Sequence, residues 1–431
     1  MVTLGTLELA RLLLAITLLL VAAHTFGYLA NRFGQPRVIG EIVGGLLLGP
    51  SLFGEVAPGL HAQVFPLDGP VPLVLDAMYQ LGLLLLMFSA GAEIRSAFRP
   101  DERRTVAAVT VIGMVIPFIV GLGFVALLPD GAHIGPANNR TAFILVFALA
   151  IAVTSIPVIS RIMFDLGILE TAFARIVLAV AVIEDVVIYV LLAIALGLVA
   201  GSSGATVGIP AAIGITPGST GSIAFHVIAT VAFLGVALWL GPPVYRAVLR
   251  FRFNVVKRGS AIAFQIVFML VITMLAVALD VVPLFGAFVA GIVVGSAEGT
   301  DGAEDARATI RTFSFAFFIP VYFAIVGLRL DLLSGFEPLF FLLFLAVACA
   351  AKYASVWLGS RWAGESPAGA RNLGVALNAR GGPGIVLASV AFDAGIVDQG
   401  FYAVLVMLAI VTSLLAGSWL GRVVRSESPL R

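Results

Sequence analysis

Residues 173–200 read FARIVLAVAVIEDVVIYVLLAIALGLVA, an apolar run with Glu184 and Asp185 side by side near its middle. The run is longer than the roughly 20 residues that a helix needs to cross a bilayer. The two carboxylates lie about ten residues beyond Arg175, which is roughly 15 Å along a helix and about half of a hydrocarbon core. An ionised side chain at that depth costs at least about 2.5–3.5 kcal/mol. The segment therefore predicts a membrane helix whose acidic pair serves a function.

The remainder of the chain is as apolar as this segment. Of its 431 residues, 61% are hydrophobic and only 11% are charged, whereas soluble domains carry about 25% charged residues. The composition predicts an all-α polytopic membrane protein and excludes a soluble domain. Polar breaks divide the chain into about thirteen apolar segments, each a candidate transmembrane helix. They lie near 8–30, 38–53, 72–91, 105–128, 141–163, 171–200, 222–247, 260–279, 282–297, 308–327, 335–361, 369–393 and 401–423.

The basic residues alternate with these segments. Clusters of arginine and lysine follow the odd-numbered segments, for example within 246–258 after the seventh. The connections after even-numbered segments hold only Arg140 and Arg329. Because cytoplasmic loops are enriched in Lys and Arg, we predict a multi-pass protein of the inner (plasma) membrane, with its N-terminus outside and its C-terminus cytoplasmic.

Two segments carry helix-breaking residues in their middles. The breaks are Thr154-Ser155-Ile156-Pro157 in the fifth segment and Arg380-Gly381-Gly382-Pro383-Gly384 in the twelfth. We predict that the helices are interrupted at Pro157 and at Gly381, Gly382, Pro383 and Gly384. An offset of seven segments makes the two helices run in opposite directions, as an inverted-topology repeat requires. Interrupted helices at matched positions of two halves indicate a transport site near the bilayer midplane.

Four charged residues lie well inside the segments: Glu184, Asp185, Lys352 and Arg380. A structural ion pair of Glu184 with Lys352 or with Arg380 is one interpretation. Neighbouring helical residues point about 100° apart, so Asp185 would then face a different surface. A carboxylate facing a hydrated cavity binds both protons and small cations, and hydroxyls at a helix break add oxygen ligands. We therefore predict a cation and proton site with charge compensation nearby. Its predicted ligands are Asp185, Glu184, Thr154 and Ser155, with Asp185 holding the monovalent cation, and its compensating bases are Lys352 and Arg380.

Seven motifs along the chain follow one another in an order typical of a known superfamily. They read VIGEIVGGLLLGPSLFG (38–54), GLLLLMFSAGAEI (82–94), AVTSIPVISRIMFDLGIL (152–169), IVLAVAVIEDVVIYVLLA (176–193), FGAFVAGIVVG (285–295), FFIPVYFAIVGLRLDL (317–332) and NARGGPGIVLA (378–388). In these stretches the chain resembles the bacterial monovalent cation/proton antiporters, the Na+/H+ and K+/H+ exchangers with the NhaA-type fold. The order and spacing of the motifs together make the resemblance specific.

The resemblance implies roles for individual residues. Asp185 falls on the aspartate that binds cation and proton, and Glu184 falls on the preceding position, usually Asp or Asn. Lys352 falls on the lysine that pairs with that first acid in electrogenic members. Many relatives carry an acid where this chain has Gly382, so Arg380 could neutralise Glu184 instead, which would remove the argument for electrogenic exchange.

The resemblance also implies a homodimer in which a core moves against a dimerisation domain. On this pattern residues 1–100 and 201–332 supply the dimerisation helices and a linker, and residues 101–200 and 333–431 supply the transport core. The lipid bilayer is an expected partner and nucleic acid is not. The chain ends shortly after its last segment, so we expect no soluble regulatory domain in it.

The function predicted from these features is exchange of a monovalent cation, with Na+ or Li+ favoured, for protons by alternating access and electrogenically. Alternatives are a K+/H+ antiporter, a K+ efflux system, and a Na+-coupled organic-anion symporter of the same fold. We expect no cofactor beyond the transported ions. We also expect no enzyme, since the sequence contains no zinc motif, Walker A loop, Gly-x-Ser-x-Gly or Gly-x-Gly-Asp motif.

Overall fold

Helices make up nearly all of the described chain. The computed structural model describes residues 5–93, 102–129, 131–155, 158–159, 162–163, 166–200, 220–251, 254–279, 281, 283–296, 303–333, 335–426 and 429–430. The first helices in chain order are α1 (Thr6–Arg32), α2 (Arg37–Leu48), α3 (Pro58–Val64), α4 (Pro70–Glu93), α5 (Arg103–Val125), α6 (Arg140–Ala152), α7 (Ala172–Ala200) and α8 (Thr220–Arg250). They are followed by α9 (Val255–Gly259), α10 (Ala261–Ala278), α11 (Pro283–Ser296), α12 (Ala303–Ala316), α13 (Phe318–Leu328), α14 (Pro338–Ala363), α15 (Pro367–Ala376), α16 (Gly381–Asp393) and α17 (Gln399–Arg425).

Each predicted apolar segment overlaps at least one helix. Eleven helical stretches among the described residues are long and apolar enough to cross a membrane. Of two shorter apolar helices, α6 covers the first half of the fifth predicted segment, 141–163, and α11 covers nearly all of the ninth, 282–297. Within the same residues the one strand-like pairing is an isolated bridge between Ile134 and Val397. The all-α polytopic fold class is confirmed, while the number of thirteen crossings stays a prediction.

Two compact units can be distinguished within the described residues. The first takes the chain up to Ala77, residues 97–188 and the chain from Phe323 onward, and the second takes residues 78–96 and 189–322. In the first unit α5 packs along α14 and also against α6, and α1 packs along α2. In the second unit α11 packs against both α10 and α8. All of the predicted site residues belong to the first unit. The division into dimerisation and core residues given above stays a prediction.

Glycines let two helices of the first unit meet backbone to backbone. A Cβ atom at Gly45 of α2 would lie 1.9 Å from the carbonyl oxygen of Ala324 in α13. A Cβ atom at Gly327 would in turn lie 2.0 Å from the carbonyl oxygen of Ile42. Any larger residue would force the two backbones apart, so glycine on both helices sets this crossing.

Burial differs widely between the spans. In the most apolar 18-residue stretch of each span, the share of buried residues is 83% for Pro367–Asp393 and 67% for both α7 and α17. The same share is only 22% for α8. In α1 and α10 the corresponding share is 28%. The segment that carries Arg380 and the helix that carries Glu184 and Asp185 are therefore largely surrounded by protein. The helix of Lys352, α14, is only 33% buried, and α1, α8 and α10 likewise present most of their apolar surface outward.

Both predicted helix interruptions are present, one of them shifted along the chain. α6 ends at Ala152 and is followed by non-helical residues 153–155, while Pro157 lies outside the described residues. In the twelfth segment the non-helical residues are 377–380, between α15 and α16. The structure thus corrects the prediction that the break consists of Gly381, Gly382, Pro383 and Gly384, because these four residues form the first turn of α16. Proline is tolerated there since N–H groups in a first turn have no intrahelical acceptor.

Candidate functional site

The two interruptions lie against each other and are joined by hydrogen bonds. The backbone N–H of Ser155 donates to the carbonyl oxygen of Ala379 at 2.7 Å. The Thr154 hydroxyl donates to the carbonyl oxygen of Leu377 at 2.6 Å, and the N–H of Gly382 donates to the Ser155 hydroxyl at 3.1 Å. Polar backbone freed by one break is therefore satisfied largely by the other, which is how irregular backbone is tolerated inside a membrane protein.

The start of α16 requires a glycine and is capped by hydroxyls. A Cβ atom at Gly381 would lie 2.2 Å from Cγ2 of Val158 and 2.8 Å from Oγ of Ser155. The N–H of Gly381 donates to the Ser413 hydroxyl, and the N–H of the preceding Arg380 donates to the Thr412 hydroxyl, both at 3.3 Å. Side-chain oxygens from α17 and from the first break thus accept the hydrogen bonds that the helix start cannot make internally.

Arg380 is fully buried and uses its five N–H donors on uncharged oxygen atoms. Its Nε donates to the carbonyl oxygen of Ala150 at 3.2 Å, and its Nη2 donates to those of Ile151 at 2.9 Å and Ala348 at 2.8 Å. Its Nη1 donates to both the backbone and the side-chain oxygen of Asn378. The guanidinium therefore joins the end of α6, the middle of α14 and the second break.

Lys352 pairs with Glu184 in the interior of the first unit. Its Nζ lies 2.8 Å from each carboxylate oxygen of Glu184, and both side chains are 0% exposed. The same ammonium donates to the carbonyl oxygens of Ala152 at 2.7 Å and Gly113 at 3.0 Å. Of the two partners considered for Glu184 from the sequence, the structure pairs it with Lys352, because the donors of Arg380 are all used elsewhere.

The two bases also cover one end of the interrupted helix. The carbonyl oxygens of the last three residues of α6, 150–152, accept from Arg380 or Lys352. A helix C-terminus carries a partial negative charge, and a cation there stabilises it by about 0.3–1 kcal/mol, or up to about 2 kcal/mol when partly buried. The bases therefore compensate a helix end as well as an acidic side chain.

Asp185 differs from its neighbour in having no such partner. The side chain is fully buried, and neither carboxylate oxygen accepts a hydrogen bond from any described protein group. It follows Glu184 on α7 and so points about 100° away from the side chain that meets Lys352. A buried ionised carboxylate is costly unless a proton or a cation neutralises it. Within the described residues, the Asp185 carboxylate is thus the acid of this cluster that no protein group hydrogen-bonds.

The two predicted hydroxyl ligands, Ser155 and Thr154, differ in whether their oxygen still has room to accept. The Ser155 hydroxyl accepts from the N–H groups of Gly382 and Val158, so both of its acceptor positions are used. The Thr154 hydroxyl donates to the carbonyl oxygen of Leu377, and no N–H group is seen to donate to it among the described residues. Among the described residues no group of three or more His, Cys, Asp and Glu side chains could hold a metal ion.

Several residues of the site were not predicted from the sequence. Asn378 accepts from Arg380, and its Nδ2 donates to the carbonyl oxygen of Cys349 at 3.0 Å. Ser413 and Thr412 cap the start of α16. Asn378 is the one amide of the second break, and Thr412-Ser413 is a polar pair inside the thirteenth segment, so both gave a signal that could have been used.

A fold of long helices with two crossed interruptions and buried charges at their meeting point defines a membrane transport protein. The sodium/hydrogen exchanger family (transmembrane) matches residues 16–426. The chain therefore belongs to the sodium/hydrogen exchanger family, a family of transporters and not of enzymes.

Individual relatives agree with this assignment. The Na(+)/H(+) antiporter NhaS4 of Synechocystis is 27% identical over 95% of this chain and 96% of its own. Cation/H(+) antiporter 18 of Arabidopsis thaliana is 27% identical over 94% of this chain, which spans only 48% of that relative. Among solved structures, the sodium proton antiporter MjNhaP1 of Methanocaldococcus jannaschii superposes with a TM-score of 0.64 at 17% identity, covering 96% of this chain and 99% of its own. The last comparison shows the shared fold.

Proposed function

We propose that this protein exchanges a monovalent cation for protons across the membrane, with cation and proton competing for Asp185. The observation that carries the proposal is the buried carboxylate of Asp185, which no described protein group hydrogen-bonds. Either ion neutralises it, and both cannot occupy it together. Competition of two ions for one site that is open alternately to the two sides is sufficient for coupled exchange.

The oxygen ligands around the cation are proposed to come from the first break. Thr154 supports this assignment because its hydroxyl is buried at the first break and keeps acceptor capacity while donating to Leu377. Ser155 serves chiefly as the cap of α16, since its acceptor positions are taken. Hard oxygen ligands in a small number suit Na+ or Li+, and we favour these cations as substrates. We propose no cofactor beyond the transported ions.

The exchange is proposed to be electrogenic. Support comes from the Glu184–Lys352 pair, which gives the site an acid and a base in addition to Asp185. If this pair opens when the cation binds, its protonation can change together with that of Asp185, and more protons than cations then move in each cycle. Arg380 does not replace Lys352 in this role, because its donors are committed to backbone and amide oxygens.

The site assignment is tested by ion-dependent proton flux in proteoliposomes that contain the full chain. Addition of Na+ or Li+ should collapse an imposed pH gradient, and Asp185→Asn should abolish the response, since an amide neither binds a proton in this range nor carries charge. Asp393→Asn is the matched control, because it removes a carboxylate of the same unit that is 31% exposed and away from the breaks. Undiminished exchange by Asp185→Asn would show that the site lies elsewhere. A response to K+ in place of Na+ would assign the protein as a K+/H+ antiporter.

Electrogenicity is tested with the same vesicles and Na+ as substrate. Clamping the membrane potential with valinomycin and K+ should speed the initial proton flux, because the uncompensated charge then no longer builds up. Glu184→Gln should remove the effect of the clamp if the Glu184–Lys352 pair is its source. A flux that does not respond to the clamp would make the exchange electroneutral.

We further propose a homodimer in the inner membrane with its N-terminus outside and its C-terminus cytoplasmic. The outward-facing apolar surfaces of α1, α8 and α10 support residues 1–100 and 201–332 as the dimerisation helices, with residues 101–200 and 333–431 as the moving core. Light scattering of the purified protein in detergent measures the mass of the complex. A monomer mass in detergent and in nanodiscs alike would contradict the dimer.

A further inference from the structure

An open groove lies on the first unit between α14 and α17, with the second break at its floor. Its volume is about 460 Å³, within the range of about 300–1,000 Å³ that is usual for ligand pockets. Small side chains of α14, Ala346 and Ala350, form one wall, and Leu415 and Trp419 of α17 form the other. Leu415 is 54% exposed, so the groove opens toward the surface that faces lipid in a membrane protein.

Three of the polar side chains along the groove, Asn378, Thr412 and Trp419, are already engaged within the protein. The Asn378 amide bonds to Arg380 and to the carbonyl oxygen of Cys349. The Thr412 hydroxyl donates to the carbonyl oxygen of Leu408 at 2.8 Å, and the Trp419 indole donates to Asn372 at 3.1 Å. The groove therefore offers a mainly apolar surface, which suits a hydrocarbon chain better than a polar ligand.

One end of the groove is marked by positive charge. The guanidinium carbon of Arg371 lies 5.4 Å from the ring centroid of Trp419, within the range of a cation–π contact. Leu415, Trp419 and Arg422 follow at i, i+4 and i+7 on α17, so Arg422 continues the same helix face beyond the groove. Arg371 and Arg422 are both exposed. Trp and Arg at this position are typical of the level of lipid headgroups.

The other end of the groove lies deeper along α17. Thr412 precedes Trp419 by seven residues, which is about 10 Å along a helix. A chain that enters beside Trp419 would therefore run toward the middle of the bilayer and end against Asn378 and Thr412, behind the second break.

We propose that this groove binds one acyl chain of an anionic phospholipid, whose phosphate is held by Arg371 and Arg422. Charge complementarity selects an anionic lipid over a zwitterionic one, because the two arginines would meet an uncompensated phosphate charge. The bound chain contacts the residues that hold Arg380, so the lipid is part of the surroundings of the helix break.

Tryptophan fluorescence tests the proposal directly. The chain has four tryptophans, Trp239, Trp357, Trp362 and Trp419. A variant that keeps only Trp419, with phenylalanine at the other three positions, is reconstituted in phosphatidylcholine vesicles. Phosphatidylglycerol or phosphatidylcholine with brominated acyl chains is then titrated in. We expect half-maximal quenching of Trp419 by brominated phosphatidylglycerol at a mole fraction at least about fivefold lower than by brominated phosphatidylcholine. The reason is that each arginine near an anionic lipid contributes about a fivefold preference.

Matched variants separate specific binding from the general lipid surroundings. A variant that keeps only Trp239, which is 77% exposed on α8, should be quenched equally by the two lipids. Arg371→Gln together with Arg422→Gln should make the two lipids equal for Trp419, and Ala350→Phe should weaken quenching by both. Equal quenching of Trp419 by the two lipids in the otherwise unchanged chain would overturn the proposal. So would a preference that survives removal of both arginines, provided that circular dichroism shows the variant folded.

Discussion

Two groups of charges in the first unit share nearly the same ion-pair geometry and differ in burial. At the breaks, the Glu184–Lys352 pair has N–O distances of 2.8 Å and exposures of 0%. Near the loops that follow α13 and α16, Arg329 lies 2.7 Å from Asp393 and 2.9 Å from Asp76, with exposures of 28%, 31% and 52% for Arg329, Asp393 and Asp76. Short distance alone therefore does not tell the two groups apart, and their energetic roles follow from solvent access.

We name the second group the loop-end cluster. It consists of Arg329 with Asp76 and Asp393, and of the pair His133 and Asp398, whose side chains lie 3.6 Å apart. Asp398 immediately precedes Gln399, which binds the carbonyl oxygen of Arg329. Arg329 joins the start of α4 to the end of α16, and its carbonyl oxygen accepts from Gln399 at the start of α17. Water competes for each of these charges, so losing one partner leaves the other solvated. At the breaks, losing one partner leaves a charge in the interior, where solvation is absent.

The largest effect is expected for Lys352→Met. Removing one partner of a buried ion pair costs about 3–5 kcal/mol, because the remaining charge is uncompensated. The free energy of unfolding in mixed micelles should fall by about this amount. The double variant Lys352→Met with Glu184→Gln should recover most of the loss, since replacing both partners leaves no isolated charge. Equal losses in the single and double variants would show that the ammonium matters only for the carbonyl oxygens of Ala152 and Gly113.

The same substitution in both groups sharpens the comparison. Arg380→Lys should lower the free energy of unfolding by about 2–3 kcal/mol, because a lysine has fewer donors and each unsatisfied buried acceptor costs about 1–3 kcal/mol. Arg329→Lys is the matched control, and it should change the free energy of unfolding by less than about 1 kcal/mol, as exposed ion pairs do. Similar losses for the two variants would refute the assignment of five structural hydrogen bonds to Arg380.

The sequence predicted the helices well because their lengths and apolar character are local properties. It also predicted that Glu184, Asp185, Lys352 and Arg380 lie together, since buried charges require partners or mobile ions. It did not decide between Lys352 and Arg380 as the partner of Glu184. The choice depends on which backbone carbonyl groups of α6 and α14 face Arg380. Every residue has a backbone carbonyl, so the residue types in the sequence do not show which ones do.

The position of the second break was predicted a few residues too late for a related reason. Pro383 and its neighbouring glycines are poor helix formers in a helix interior, but a first turn accepts them. The actual break at 377–380 contains Asn378 and Ala379, and it forms because Ser155 and Thr154 bond to its carbonyls from the other half of the chain. Likewise, Arg329 meets Asp76 from 253 residues away, a distance over which no local pattern acts.

A smaller effect is expected for Arg329→Gln. Exposed ion pairs contribute about 0.2–1 kcal/mol, and this arginine makes two of them. The free energy of unfolding should fall by about 0.4–2 kcal/mol, with cation-dependent proton flux unchanged. Raising the salt concentration should reduce the difference between the variant and the unchanged chain, because salt screens exposed charges. A loss as large as that of Lys352→Met would place the loop-end cluster with the buried charges.

The smallest effect at neutral pH is expected for Asp398→Asn, the cap of α17. Burial alone would raise the pKa of Asp398, but its contact with His133 and the N–H groups of Phe401 and Gly400 lower the pKa below the ordinary value of 3.8. A carboxyl whose pKa is lower in the folded state stabilises the fold above its unfolded pKa, and this contribution is lost as the pH falls through the folded value. Asparagine caps helices as well as aspartate does, so the variant should lose only a few tenths of a kcal/mol at about pH 7.

The free energy of unfolding of this variant should differ from that of the unchanged chain mainly at acidic pH. Between about pH 5 and pH 3 the free energy of unfolding should fall less steeply in Asp398→Asn, because one carboxylate that must be protonated is gone. Arg329→Gln is the comparison variant, because it leaves Asp398 in place, and any change of its acid slope reports Asp76 and Asp393, the carboxylates that face Arg329. An unchanged slope in Asp398→Asn would mean that the hydrogen bonds to this carboxylate are as strong when it is protonated. The loop-end cluster would then contribute to acid stability only through the carboxylates that face Arg329.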